Sequence, residues 1–384
     1  MAIHNALFAK TAIGEGLFQI AVKDCIDIAG LPTVAGSAAL ADAAAAERNA
    51  DVVSALLKAG CTIIGKTNMH ELAYGVTGIN AWTGTAVNPL FPDLVPGGSS
   101  SGSAVAVAEG LVDFAIGTDT GGSIRTPAAC CGVFGLKPTF GQISREGASP
   151  RESSLDCIGP FARSKAMIET AMAMMVPDYV PRGFGGLRHV VVRPEGVDPL
   201  VLDAFDAAIA PFSADAPQAV LPGIGDAYAA NIAIIAAETY AAFGHLLPSG
   251  LLGEDVAARL AAAASVDAAR LAEAEAVRSR FTAAVDALLE TNDVIVMPTM
   301  PCFPIPLAEA TSPAEALRMT ALVRPFNLSG HPALTVPVLS AQGLPVGIQV
   351  IGRRGEDEAV CAFGRLVETS TTVISFPEAK DQRP

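Results

Sequence analysis

Two clusters of small residues, separated by one short apolar segment, carry the side chains best suited to covalent chemistry. The stretch from Pro96 to Pro127 reads PGGSSSGSAVAVAEGLVDFAIGTDTGGSIRTP. Glycine and serine let a backbone approach a reacting group closely and leave N–H groups free to converge on one point. Such N–H groups bind phosphate at a helix N-terminus. A Walker loop, however, ends in Gly-Lys-Ser/Thr, and a dinucleotide loop needs GxGxxG after its first strand. Neither pattern is present. A nucleophilic site instead needs a serine on a tight turn, neighbouring N–H donors for an oxyanion, and a base. Ser123 in DTGGSIR supplies the first, and Thr120, Gly121 and Gly122 lead into it with the second.

The base is harder to find. Five histidines (His4, His70, His189, His245, His331) stand in no relation to a serine and an acid that would make a Ser-His-Asp arrangement. A lysine can serve if its pKa falls from about 10.4 towards 7, a differential interaction of about 4–5 kcal/mol that burial among hydroxyls can supply. Lys23 ends the apolar run Phe18–Val22 and is the candidate. Either Ser99 or Ser100 in the first cluster could relay its proton.

These segments together resemble the amidase signature hydrolases. VKDCIDIAG, PGGSSSGSA and GTDTGGSIRTPA occur in the family's order and spacing, and the likeness continues through IIGKTNMHE, LKPTFGQIS, SLDCIGPFARS, PFNLSGHPALTVP and GLPVGIQVIG. The resemblance implies a Ser, cis-Ser, Lys triad: Ser123 as acyl-accepting nucleophile, Ser99 as bridging serine with a cis peptide bond, and Lys23 as base and then acid. It further implies an oxyanion hole from the N–H groups of Thr120, Gly121, Gly122 and Ser123, with Ser100, Asp119 and Arg125 supporting the loops. No metal or organic cofactor is expected. The implied activity is hydrolysis of a small or medium carboxamide to the acid and ammonia or an amine. The alternatives are the glutaminase subunit of a tRNA-dependent amidotransferase, for which the chain is short, and a catalytically inactive binding protein of the same fold.

The elements that would position these residues follow from periodicity. Short apolar runs at Phe18–Val22, CTIIGKT, Asp113–Thr118, GVFGL, LRHVVVR, DVIVMPT, PALTVPV and VGIQVIG read as strands. Helical patterns cover Ala45–Ala59, Ser103–Gly110 and Ser164–Met175, most of 198–292 (near 199–210, 226–247, 254–263 and 266–290), and EDEAVCAFGRLVE. Thr139–Pro160 reads as an irregular surface excursion, and the Glu and Arg residues of 198–292 as solvated faces. Strands at both ends with helices between predict one α/β domain over residues 1–384, a mixed twisted β-sheet covered by helices on both faces. Lys23 stands so near the start of the sequence that the helical layer expected before it is shortened. The apolar face this leaves would favour a homodimer.

Composition narrows the partners. Of 384 residues 51% are hydrophobic and 17% charged, a globular profile. The net charge of −14, without any Lys/Arg-rich run, argues against nucleic acid or an acidic membrane surface. The start, MAIHNALFAKTAIGEG, lacks the features of a signal peptide, and the apolar stretches around Glu109, Asp113 and Glu238 read as too short or too interrupted to span a bilayer. Seven scattered cysteines without a CxxC pair read as reduced core residues of a cytoplasmic protein. His70 and Glu71 read as turn or lid residues. The pocket walls are expected from Tyr74–Trp82, Ser144–Asp156 and Cys302–Pro306, with the Pro-rich break at 177–186 leaving the substrate funnel open.

Overall fold

The run that ends in Lys23 becomes a strand because its β-branched and apolar residues suit a pleated, buried surface. So do the other runs read as strands. The computed structural model describes residues 4–310, 312–371, 374 and 376. Among these, eleven strands form one mixed sheet: β1 (Leu7–Ile13), β2 (Phe18–Lys23), β3 (Cys61–Thr67), β4 (Phe114–Asp119), β5 (Phe134–Lys137), β6 (Cys157–Ala162), β7 (His189–Val192), β8 (Gln218–Ala219), β9 (Val294–Pro298), β10 (Ala333–Leu339) and β11 (Pro345–Gly352). Their order is β1-β3-β2-β4-β6-β5-β10-β11-β9-β7-β8. β2 runs parallel to β3 and β4, and β7 parallel to β8 and β9, while the pairings between are antiparallel.

The helices are α1 (Asp51–Lys58), α2 (Ser101–Ala108), α3 (Arg125–Cys131), α4 (Lys165–Met175), α5 (Pro199–Ser213), α6 (Ile224–Phe243), α7 (Glu254–Ala263), α8 (Ala268–Thr291), α9 (Pro313–Arg318), α10 (Arg324–Leu328) and α11 (Asp357–Ser370). The two-residue period of the strands assigns them to opposite faces. Ile20, Val22, Phe114 and Ile116 join a core with α1, α4 and α11, whereas Ala21 and Ala115 pack with α2 and α3. At the other end of the sheet Val190, Val192, Ile295 and Met297 meet α6 and α8. α2 buries all eight of its residues, Ser103 through hydrogen bonds to Thr67 and Ile116. At about 1.5–3 kcal/mol per buried valine, Val105 and Val107 hold it against the sheet.

Four expectations are corrected. Residues before β2 form β1, an edge strand antiparallel to β3, and no helix lies among residues 4–17. The stretch 139–160 is not simply a surface excursion, because it leads into buried β6, whose CIGPFA pairs with both β4 and β5. α1 starts only at Asp51, after a loop that uses Ala45 in a bridge to Pro32. Finally, α6 and its 3-10 extension, Ile224–Ser249, are long and apolar enough to cross a membrane despite Glu238. In this fold α6 packs against α7, α8 and α10. All seven cysteines are free and buried.

Candidate active site

Lys23 shares the strand parity of Ala21 and so leaves the sheet on the face covered by α2 and α3. It is fully buried, and its Nζ donates to Ser99 Oγ at 2.8 Å and to Thr118 Oγ1 at 2.8 Å. Burial lowers the Lys23 pKa; the fields of Cys25, Asp156 and Asp119 oppose that shift. The adjacent carboxylate does not neutralise it, because Asp24 pairs with Lys66 at 3.0 Å. Lys66 Nζ also donates to Pro32 O and Thr33 Oγ1. Lys23 is therefore a buried amine held by hydroxyls.

The Gly98–Ser99 peptide bond is cis. Ser99 O accepts from His70 N–H at 3.0 Å, and Ser100 N–H donates to Ser123 O at 3.3 Å, so the first loop lies across the second. Ser100 Oγ donates to Thr118 O at 3.1 Å. Glycine at 117 permits this approach: a Cβ there would sit 2.7 Å from Ser100 Oγ and 2.7 Å from the Phe161 ring. Ser123 follows Gly122, whose φ of +104° an L side chain rarely adopts.

Asp119 and Arg125 knit the second loop. The Asp119 carboxylate accepts from the N–H groups of Gly122 (2.7 Å), Ile124 (3.1 Å) and Arg125 (3.3 Å). All five guanidinium donors of Arg125 are used: Nε and Nη2 on Asp119 at 3.1 and 2.9 Å, Nη2 on Asn327 Oδ1, and Nη1 on Val323 O and Gln349 Oε1. Burial alone would raise the Asp119 pKa, but Arg125 and Asn327 hold it far below the usual carboxylate range. Arg125→Ala should cost about 3–5 kcal/mol, since it strands a buried carboxylate. Urea denaturation against wild type measures this, and a loss below about 1 kcal/mol would contradict it.

Because Gly122 N–H is given to Asp119, the N–H groups of Thr120, Gly121 and Ser123 remain without a protein acceptor among the described residues. Thr120 is fixed from two sides. Its Oγ1 donates to Asp156 Oδ1 at 2.8 Å, and its carbonyl accepts from Asn231 Nδ2 at 3.3 Å. Asp156 in turn accepts from Arg145 Nε at 2.9 Å. Sequence reading missed Asp156, Arg145, Asn231, Asn327 and Gln349. The signals were there: a carboxylate directly before the apolar CIGPFA run, and single amides inside apolar stretches.

Ser123, 7% exposed, opens onto a cavity of about 320 Å³. Tyr74–Val76 and Pro150 and Ser153 line it, within two of the expected loops. Cys302–Pro306 does not: Cys302 and Ile305 pack with Val95 and Met319 in a separate apolar cluster. Pro177 and Pro181 border a different depression beside α1 and α4, so the 177–186 break opens no funnel at Ser123. The missing walls come from α6 and α7, where residues read as solvated, Glu238 and Arg259, face the cavity with Arg324 of α10. His70 and Glu71 lie in the turn expected of them but are buried and fasten α7. His70 Nε2 is 3.2 Å from Asp255 Oδ2, and Glu71 accepts from Gly253 N–H at 2.8 Å. Among the described residues no group of three or more His, Cys, Asp and Glu side chains is placed to hold a metal ion.

A family model described as Amidase matches residues 18–178 and 202–361. A glutamyl-tRNA(Gln) amidotransferase subunit of Halobacterium salinarum is 34% identical over 421 residues, covering 95% of this chain and 99% of the relative. Amidase 1 of Oryza sativa subsp. japonica is 34% identical over 379 residues, covering 88% and 86%. The crystal structure of the corresponding glutamyl-tRNA(Gln) amidotransferase subunit from Thermotoga maritima superposes with a TM-score of 0.84 at 29% identity, over 98% of this chain and 92% of that one. With Lys23 hydrogen-bonded to Ser99 at such a sheet, and a family model spanning most of its length, the chain belongs to the Amidase family of amide-hydrolysing enzymes.

Proposed function

We propose that this enzyme hydrolyses a small or medium carboxamide through an acyl-Ser123 intermediate, with Lys23 and Ser99 as its proton relay. The hydrogen bond from buried Lys23 to Ser99 Oγ, with no carboxylate among the described residues paired to that lysine, carries the reading. Neutral Lys23 takes the Ser99 proton as Ser99 takes that of Ser123, and Ser123 Oγ bonds to the amide carbon. The oxyanion is received by the N–H groups of Thr120, Gly121 and Ser123, while Gly122 N–H keeps Asp119 in place. The lysine ammonium then returns its proton through Ser99 to the departing nitrogen, and ammonia or an amine leaves. Water, deprotonated by the same relay, attacks the ester, and the carboxylic acid departs as Ser123 Oγ is reprotonated. None of these steps calls for a cofactor.

An alkyl fluorophosphonate should add once to the wild-type protein, and peptide mass spectrometry should place the adduct on Ser123. An intact chain with no adduct would return it to a non-catalytic binding role. A second reading is favoured by the relatives named as glutamyl-tRNA(Gln) amidotransferase subunits. Chain length does not oppose it, since 99% of the Halobacterium salinarum relative is covered. Ammonia release from glutamine, compared with a panel of simple amides and using the isolated chain, separates the two. A strong preference for glutamine would install the second reading.

A further inference from the structure

We propose that the cavity at Ser123 is built for amides whose acyl part ends in a carboxylate, and that Arg324 binds that carboxylate. The inference rests on the amidase reading of Ser123 and names its substrate class.

Arg324 opens α10, is 7% exposed and lines the cavity. Only two of its five N–H donors have partners among the described residues, and both partners are neutral: Nε donates to Thr320 Oγ1 at 2.7 Å and Nη1 to Asn231 Oδ1 at 3.0 Å. No carboxylate among the described residues lies within ion-pair distance of it, in contrast to Arg125, whose donors are all occupied. The field of Asp119 reaches Arg324, but Arg125 already neutralises that carboxylate. Burial pulls the Arg324 pKa down to about 10, which leaves a full positive charge at neutral pH. A buried cation without a counter-ion is costly, and the cost is removed when a ligand brings the anion.

The remaining charges at the cavity point the same way. Its lining holds Arg259, Arg270 and Arg324 against one carboxylate, Glu238, in a chain whose net charge is −14. Arg259 pairs with Asp255 at 2.8 Å. Both Glu238 oxygens are engaged, by Ser153 Oγ at 2.8 Å and Ser154 N–H at 2.9 Å. A cation would meet Glu238 alone among the described lining residues, its oxygens already accepting from neutral donors, whereas an anion would find three open guanidinium donors on Arg324 that can grip it in a fork.

Position sets the length. A Cβ on Gly121 would lie 2.7 Å from Arg324 Nη1, so the guanidinium sits against the loop two residues before Ser123. Two residues span at most about 7 Å, which puts the carboxylate a few carbons from the amide carbonyl. Short dicarboxylic monoamides fit this description.

Calorimetric binding to Ser123→Ala tests the subsite without turnover, using the monoamides malonamate, succinamate, glutaramate and adipamate and the corresponding neutral diamides. At least one monoamide should bind ten times or more tighter than its diamide. That ratio should fall towards one in Ser123→Ala with Arg324→Gln, and part of it should return with Arg324→Lys. A ratio near one for every chain length in the Arg324-intact protein, or no binding by any of them, overturns the subsite whether or not the Arg324 variants fold. A preference that Arg324→Gln leaves unchanged in a folded protein also overturns it. The two readings fail separately. Charge-selective binding with no Ser123 adduct and no hydrolysis rejects the amidase alone, and hydrolysis of neutral amides without charge selectivity rejects the carboxylate subsite alone.

Discussion

Replacing Ser123 with alanine should lower kcat for any amide by about four orders of magnitude or more, while the thermal midpoint stays nearly unchanged. The size follows from losing the covalent route: residues that act as one catalytic unit lose most of its rate when any one is removed, and what survives comes from binding and the oxyanion donors. Stability should be spared because Ser123 is tied to the first loop through its backbone carbonyl, which accepts from Ser100 N–H at 3.3 Å whatever the side chain. Gly122 N–H likewise remains on Asp119. Steady-state ammonia release and a calorimetric scan on the same preparation decide it. Retained turnover in pure Ser123→Ala would end the assignment of the nucleophile.

Lys23→Met is the second large effect, with an expected loss of about 10³–10⁵-fold, because methionine fills similar space but cannot accept the Ser99 proton. The wild-type pH profile should carry a matching limb. Burial lowers the Lys23 pKa, and only the neutral amine is a base, so kcat/KM should rise about tenfold per pH unit up to that lowered pKa and then level. The residual rate of Lys23→Met should lack this limb. Stability carries the same signature. An unfolded lysine binds its proton near pH 10.4, above the lowered folded value, so the unfolded chain is favoured progressively as pH falls from about 10.4 to the folded pKa. Lys23→Met should flatten that dependence in part only, since buried Lys137 also has its pKa lowered, chiefly by burial. Urea midpoints at pH 7 and pH 10 measure it. An unchanged difference between the two midpoints would mean that Lys23 is charged in the folded protein.

Local pattern made eight of the eleven strands legible, β1, β6 and β8 being the exceptions, and residue chemistry pointed to Ser123 and Lys23, while the choice of Ser99 over Ser100 came from the family resemblance. What stayed hidden was set by distance along the chain. Asn231, Asn327 and Gln349 reach the second loop from segments far downstream, and no local period marks a polar residue that a remote backbone will need. Glu238 and Arg259 looked solvated because helical periodicity says which residues share a face, not that a cavity lies opposite it. Gly122 shows the limit of a motif. The sequence offers four consecutive N–H groups, and only the fold reveals that Asp119 has taken one of them.

The Arg125 junction also bears on when the enzyme becomes competent. Its partners Val323, Asn327 and Gln349 lie 198, 202 and 224 positions later in sequence. At a synthesis rate of about 5–20 residues per second, the loop bearing Ser123 waits roughly 10–40 s for them. Until then Arg125 lacks three of its five side-chain hydrogen bonds, and closing so long a loop is among the slower events of folding. A chain truncated before Val323 should therefore leave the loop of Ser123 without three of the hydrogen bonds of Arg125, and should take up no fluorophosphonate until those partners are restored.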